Sequence, residues 1–382
     1  MFVDANSYTD GSGNAANDTT GLQNAINYAS QNRKRLIVTR DFHISSQLNV
    51  PVNTHIEGET RATQIIPQGS LTSAFNVTSG NTTIRQLSFP GNGSAQSFIT
   101  VQKGWDNSPV RLSELVITTT RNGINWIDGD VPMIGDIYGI NNLYLVNFAN
   151  NGMNGSVSKL FNLGGQLLQI QSASQQMEGT NFSDLHAIQG TGTFGGAANL
   201  ANPIINIQSG LALRFSQVLV DQVTNGGGLV MQGLPGKAVS DVTVQGIWIG
   251  ASSSIVQGTH GIWLVGNVTG AHVTGGYVTG ITDWNIRFNA GADGTLPSHS
   301  SFEKLQVLNG EYGAILSEGA YNIAVSECRV EGGSSTASIY ENPNSGRPST
   351  LIVTRNAIVG AVTASTTSIY RDNIGPSAFN NR

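Results

Sequence analysis

A right-handed, single-stranded parallel β-helix, all-β apart from one short helix near its start, is the fold that this sequence predicts. Three observations predict it. A pair of short apolar runs recurs mostly every 24 to 30 residues, the composition is that of a turn-rich β protein, and charge is scarce. Of 382 residues, 47 are glycine and only 11% are Asp, Glu, Lys or Arg. The 39% that are hydrophobic are spread evenly. That is enough for a sizeable core, and no block is long enough to cross a bilayer, so membrane insertion is not expected.

The repeat carries most of the argument. First strands align as Ala74–Val77, Phe98–Val101, Gly123–Trp126, Lys159–Asn162, Pro203–Asn206, Gly228–Met231, Gly261–Leu264, Asn285–Phe288, Gly313–Leu316, Ala337–Tyr340 and Thr367–Tyr370. Second runs keep step with them, as in Ile84–Phe89, Leu112–Ile117, Phe215–Val220, Val242–Val244 and Phe302–Val307. Two runs locked to one period describe a stacked solenoid of about ten coils. Each coil offers its backbone N–H and C=O groups to the next, and inward Ile, Val, Leu and Phe stack into one column.

Such a stack needs capped ends, because an open end is an adhesive sheet edge. Leu22, Ala25, Ile26 and Ala29 fall at helical spacing behind Asp18-Thr19-Thr20, which predicts a capping helix over about 19–31. Residues 1–60 are therefore read as an N-terminal cap region with this helix and the first strands, and 61–382 as one continuous domain of coils. The tail Asn373–Phe379 has no helical period and leaves the far cap unassigned.

Several function classes are excluded. A net charge of −5 leaves no basic stripe for nucleic acid. Zinc-type Cys/His spacing and phosphate-binding glycine loops are absent, so neither a metal nor another cofactor is expected. The start Met1-Phe2-Val3-Asp4 lacks the basic and apolar regions of a secretory signal, so export by that route is not expected. The single cysteine, Cys328, alternates in phase with Ala324 and Val330 and reads as a buried thiol.

Tyr8-Thr9-Asp10-Gly11, then Asn17-Asp18-Thr19-Thr20-Gly21-Leu22-Gln23-Asn24-Ala25-Ile26, then Leu36–Val38 and Phe42–Ile44, resemble the opening of the pectate-lyase-like β-helix superfamily. Within it the chain looks most like phage tailspikes and polysaccharide depolymerases. The later coils match by period and pattern. A polygalacturonase would show Asn-x-Asp, Asp-Asp, Gly-His-Gly and Arg-x-Lys, of which Thr259-His260-Gly261 is a faint echo. A calcium-dependent pectate lyase would show Trp-Ile-Asp-His where this chain has Trp126-Ile127-Asp128-Gly129. The resemblance thus implies a tailspike-like protein, homotrimeric, on a virion tail or outside the cell, that binds and cleaves a bacterial surface polysaccharide. Hydrolysis is favoured over lysis. The alternatives are a secreted bacterial polysaccharide lyase or hydrolase, and a non-catalytic carbohydrate-binding adhesin or structural spike.

Stacking makes spacing informative, since residues one period apart lie about 4.8 Å apart along the axis. Asp283 and Glu311 stand 28 apart, each beside an aromatic, Trp284 and Tyr312. Stacked, their carboxyls would lie roughly 5 to 6 Å apart, near the spacing of a retaining glycosidase pair, or wider if splayed, as an inverting pair needs. They are the candidate catalytic residues, with Trp284, Tyr312, His260, Arg287 and Trp248 as candidate substrate contacts. The other reading of both acids is as turn carboxylates on a solvated face, and Glu303 and Glu331 share the same offset. A second cluster, Trp105, Asp106, Arg121, Trp126, Asp128, Asp130 and Asp136, either shapes a loop or forms an acidic-sugar site. Asp221, Glu178, Asp184 and His186 are weaker candidates, the last three in or beside the insertion at 164–181.

Overall fold

Parallel pairing between turns satisfies a strand's backbone only if each turn brings the chain back in register with the last. The structure, a computed structural model, describes residues 2–91, 93, 95–150, 152–171, 176–189, 203–223, 226–251, 260–333 and 337–375. Every strand ladder among them is parallel, in a β-solenoid of about 11 turns with a single α-helix. The described residues divide into two units, one up to Asn181 and the other from Phe182 onward.

In each unit, two strand sets carry the turns. Leu71–Val77, Ala95–Gln102, Asn122–Asp128, Tyr144–Phe148 and Gln166–Ile170 pair in sequence in the first unit. Leu229–Gly233, Ile262–Gly266, Trp284–Asn289, Gly313–Glu318 and Ala337–Glu341 do so in the second. The other set holds the longer second runs, such as Val110–Thr118 and Pro132–Ile140, or Arg214–Val223, Thr243–Ala251, His272–Thr279 and Ser301–Gly310.

The long runs share one device. Each is interrupted by a residue in the left-handed region: Gln86, Glu114, Asp136 and Lys159 in register in the first unit, and Gln217, Gly246, Gly275, Lys304, Glu327, Arg355 and Asp372 in the second. Its signature is apolar-x-x-apolar-x-apolar. Leu112, Leu115 and Ile117 are buried around Glu114, and Phe302, Leu305 and Val307 around Lys304. One extra residue between inward positions turns the strand a corner while keeping both halves facing the core, as a bulge does. Polar residues and two glycines fill the row because β-branched side chains fit a positive φ poorly.

Two first strands differ from expectation. Lys159–Asn162 belongs to Ser156–Leu163 and Thr367–Tyr370 overlaps Ile369–Arg371, and both of these pair within the long-run set. The strands missed in the first unit, Tyr144–Phe148 and Gln166–Ile170, arise because the step there falls to 22 residues, below the range taken for the period. Cys328 is buried as expected, and burial pushes its thiol up to about 11. Its phase partner is Val325, not Ala324, because left-handed Glu327 resets the alternation.

The helix also starts earlier, at Ala15, and runs to Gln31. Asn14 caps it, its side-chain oxygen accepting from the N–H groups of Ala16 and Asn17. Asp18 is not a cap. It is fully buried, ion-paired to Arg40 at 2.6 Å, and accepts from the His43 N–H, which ties the helix to the first turns. At the other end, buried Asn356 donates to Val325 O and bonds to Asn373, while residues 376–379 of the tail lie outside the described residues.

The left-handed row generates a two-sided prediction. Glu114→Gly removes the steric cost of a positive φ and should stabilise the fold by up to about 1 kcal/mol, whereas Glu114→Val should destabilise it by about 1 to 2 kcal/mol. Urea denaturation with unchanged slope checks both signs.

Candidate functional site

In the second unit, register brings one residue from each of several turns to a common outward row. Trp263 lies opposite Arg287, Arg287 opposite Leu316, and Leu316 opposite Tyr340. Between them the core positions Leu264, Ile286, Phe288 and Ile315 are fully buried. Arg287 is held from three sides. Its Nη1 donates to His260 Nε2 at 2.7 Å, its Nε and Nη2 donate to Glu318 Oε2 at 3.1 and 2.5 Å, and its Cζ lies over the Trp263 ring, 5.2 Å from the ring centre. Trp263 is oriented in turn, its indole N–H donating to Asn289 Oδ1 and its ring meeting His260 edge-on at 4.8 Å.

These contacts decide the state of His260. A guanidinium only donates, so Nε2 is the acceptor and the neutral ring carries its proton on Nδ1. That nitrogen lies 3.7 Å from Asp283 Oδ2. The imidazole is 2% exposed, and burial, reinforced by the Arg287 charge, pulls its pKa down to about 3. The pair is therefore a neutral imidazole facing a carboxyl, not an ion pair, at any pH well above that value. Burial pushes the Asp283 pKa upward, with Glu318 adding to the effect and Arg287 opposing it. Asp283 stays 21% exposed, so its carboxyl is within reach of solvent.

The candidate residues separate on this frame. The step between the turns carrying Asp283 and Glu311 is 29 residues, with Trp284 opposite Gly313 and Ile286 opposite Ile315. Tyr312, not Glu311, therefore sits opposite Asp283, its N–H donating to Asp283 O at 3.2 Å. The direct stacking of the two acids is thus corrected, and the like charge acting on Asp283 comes from Glu318. Glu311 and Tyr312 are both exposed. Trp284 is buried, stacked on Tyr340 at 6.1 Å over Gly313. Trp248 belongs to a long-run strand, Thr243–Ala251, away from the row that holds Arg287. Thr259 lies outside the described residues. Glu318 and Asn289, which complete the network, were missed. Both end apolar strands, and they face each other at the same 29-residue step.

The acidic cluster of the first unit resolves into structural pairs. Lys103 is fully buried and donates to Asp130 at 2.5 Å and to Asp106. Burial alone would raise both carboxyls, but the Lys103 hydrogen bonds outweigh it and hold both below the usual range. Asp136 pairs with Arg61. Trp126 is fully buried, its N–H donating to Gly129 O at 2.8 Å. Among the described residues, no three His, Cys, Asp or Glu side chains are placed to hold a metal ion, and no helix is long and apolar enough to cross a membrane.

Solved structures resemble this arrangement of turns. The catalytic unit of a thermostable GH87 α-1,3-glucanase from Streptomyces thermodiastaticus superposes with a TM-score of 0.62 at 12% identity, over 96% of this chain and 69% of that one. A mannuronan C-5 epimerase A-module from Azotobacter vinelandii gives 0.61 at 12%, over 99% and 100%. Tailspike protein 3 of bacteriophage CBA120 gives 0.59 at 12%, over 100% of this chain and 62% of that one. At such identities the likeness is one of fold. No family model and no curated protein sequence matches the chain.

Two predictions follow from the buried charges. His260 is neutral in the fold and titrates near 6.5 when unfolded, so its contribution is fully present above pH 6.5 and is lost as pH falls toward 3, by up to about 1.4 kcal/mol per pH unit. His260→Gln, whose amide oxygen still accepts from Arg287, should show a shallower loss of melting temperature between pH 6 and 4. In the first unit, Lys103→Met leaves Asp130 buried without its cation. It should cost about 3 kcal/mol in urea denaturation, and the double variant with Asp130→Asn should recover part of that.

Proposed function

We propose that the chain is a tailspike-like polysaccharide depolymerase and that Asp283 is the proton donor of a glycoside hydrolase site. The observation that carries this reading is a half-buried carboxyl 3.7 Å from a buried, neutral imidazole that Arg287 orients, beside an outward aromatic row, with burial pushing the carboxyl pKa upward. A glycosidase needs such an acid for the leaving oxygen. When Asp283 gives its proton up, the Nδ1–H of His260, which has no hydrogen-bond partner among the described residues and lies 3.7 Å away, would have to close on the carboxylate that remains. Glu311, exposed on the following turn, is proposed as the second carboxylate, which activates water or attacks the anomeric carbon according to the carboxyl separation. Tyr312 and Trp263 would contact sugar rings, and Arg287 would hold His260.

The neighbours support the polymer class, since two are named as a glucanase and a mannuronan epimerase and a third as a tailspike protein. Lysis is less favoured because a lyase must neutralise a uronate carboxylate, and Arg287 beside Asp283 is already engaged by Glu318. A parallel homotrimer on a virion tail, or outside the cell, is the proposed assembly and location.

Purified protein incubated with candidate capsules, with reducing ends and unsaturated-uronate absorbance followed together, tests the reading. Hydrolysis raises the first signal alone, lysis raises both, and an adhesin raises neither. Asp283→Asn and Glu311→Gln should keep the fold and each lower the rate by about 100- to 10,000-fold. Full activity in Asp283→Asn would remove the proposal.

A further inference from the structure

Away from the Asp283 row, the long-run strands of the second unit hold a hollow of about 440 Å³. Its origin lies in the sequence. At the left-handed corner, the side chain of Gln217 gives way to Gly246 and Gly275 on the next two turns, and Gly276 follows. Gly276 cannot be replaced without strain, because at φ 136° an added methyl would lie 1.9 Å from Ile247 O. The missing side chains leave a trough beside Leu219, Trp248 and Tyr277, which follow one another in register.

The trough is built for a flat ligand. Trp248 lies down across Gly250, whose added methyl would fall 2.9 Å from the ring, so glycine there is what lets the indole lie against its own strand. Leu219, Trp248 and Tyr277 are each half-buried, giving an apolar floor across three turns. Asp184, His186 and Gln217 stand along it with oxygen and nitrogen atoms. Burial lowers the His186 pKa, while the Asp221 charge partly opposes this. The lining also holds the Asp184 side chain, an acid, and, among the described residues, no Lys or Arg.

We infer that this trough is a second carbohydrate site, taking a neutral pyranose chain laid over Trp248 and Tyr277. Aromatic faces pack against the C–H faces of sugar rings, and a few fixed polar groups meet the hydroxyls. An acidic glycan is disfavoured by Asp184 and the nearby Asp221. The inference shares the polymer class of the proposed function but needs no catalysis, so the two fail separately.

The test is calorimetric titration of the full chain with malto-, cello- and laminari-oligosaccharides beside oligogalacturonate, for the native protein, Trp248→Ala, Tyr277→Ala and Asp283→Asn. At least one neutral series should bind, at least about tenfold more weakly to either aromatic variant and unchanged in Asp283→Asn. The second aromatic variant keeps the test open if the first fails to fold. Silence with every neutral series, preference for the uronate, or binding indifferent to both aromatic changes would overturn the inference. So would sedimentation showing self-association that Trp248→Ala abolishes, which would make the trough a contact between copies of this chain.

Discussion

Hydrogen bonding between successive turns is the constraint on which everything else here rests. A solenoid strand has no partner of its own, so its backbone is satisfied only by the turn before and the turn after. This makes register, rather than the identity of any side chain, the quantity that must be conserved along the chain. The left-handed row serves it directly. One residue per turn absorbs the corner, so that the halves before and after it keep their inward positions although turn length varies elsewhere. The strain of a positive φ recurs wherever a non-glycine residue holds the row, and the apolar column it keeps aligned outweighs it.

Register also decides which chemistry is assembled. A slip of one residue exchanges the face a side chain occupies. A 24-residue step sets Arg287 opposite Trp263 and within reach of His260, while the next step, of 29, brings Glu318 to it and sets Tyr312 opposite Asp283. Burial then does what no single partner does. It strips His260 of its proton and leaves Asp283 reluctant to lose one. Where burial meets a dedicated cation instead, at Lys103 with Asp106 and Asp130, the carboxyls are held ionised. Carboxyls that look alike in sequence are thus shifted in opposite directions.

The fold class was legible because the apolar runs repeat, and a period survives modest errors in any one strand. The site was legible only in part. Asp283 and His260 stood out as polar groups flanking aligned strands and Arg287 as a charge within one, yet an offset of 28 in place of 29 joined Asp283 to the wrong neighbour. Glu318 and Asn289 carried no local signal and become visible only once the step is known. Trp284 and Trp126 illustrate a different limit. A tryptophan beside an acid reads as a sugar platform, but whether its faces are free depends on packing from other turns, here Tyr340 and Phe148.

The account stands on a neutral His260 locked by Arg287 with its proton turned toward Asp283. Nitrogen-15 NMR of histidine-labelled protein measures this directly, with His260 assigned by its loss in His260→Gln. At pH 5 the account predicts a protonated Nδ1 and an unprotonated, hydrogen-bonded Nε2 for this residue. A ring protonated on both nitrogens at that pH, or the opposite tautomer, would contradict it.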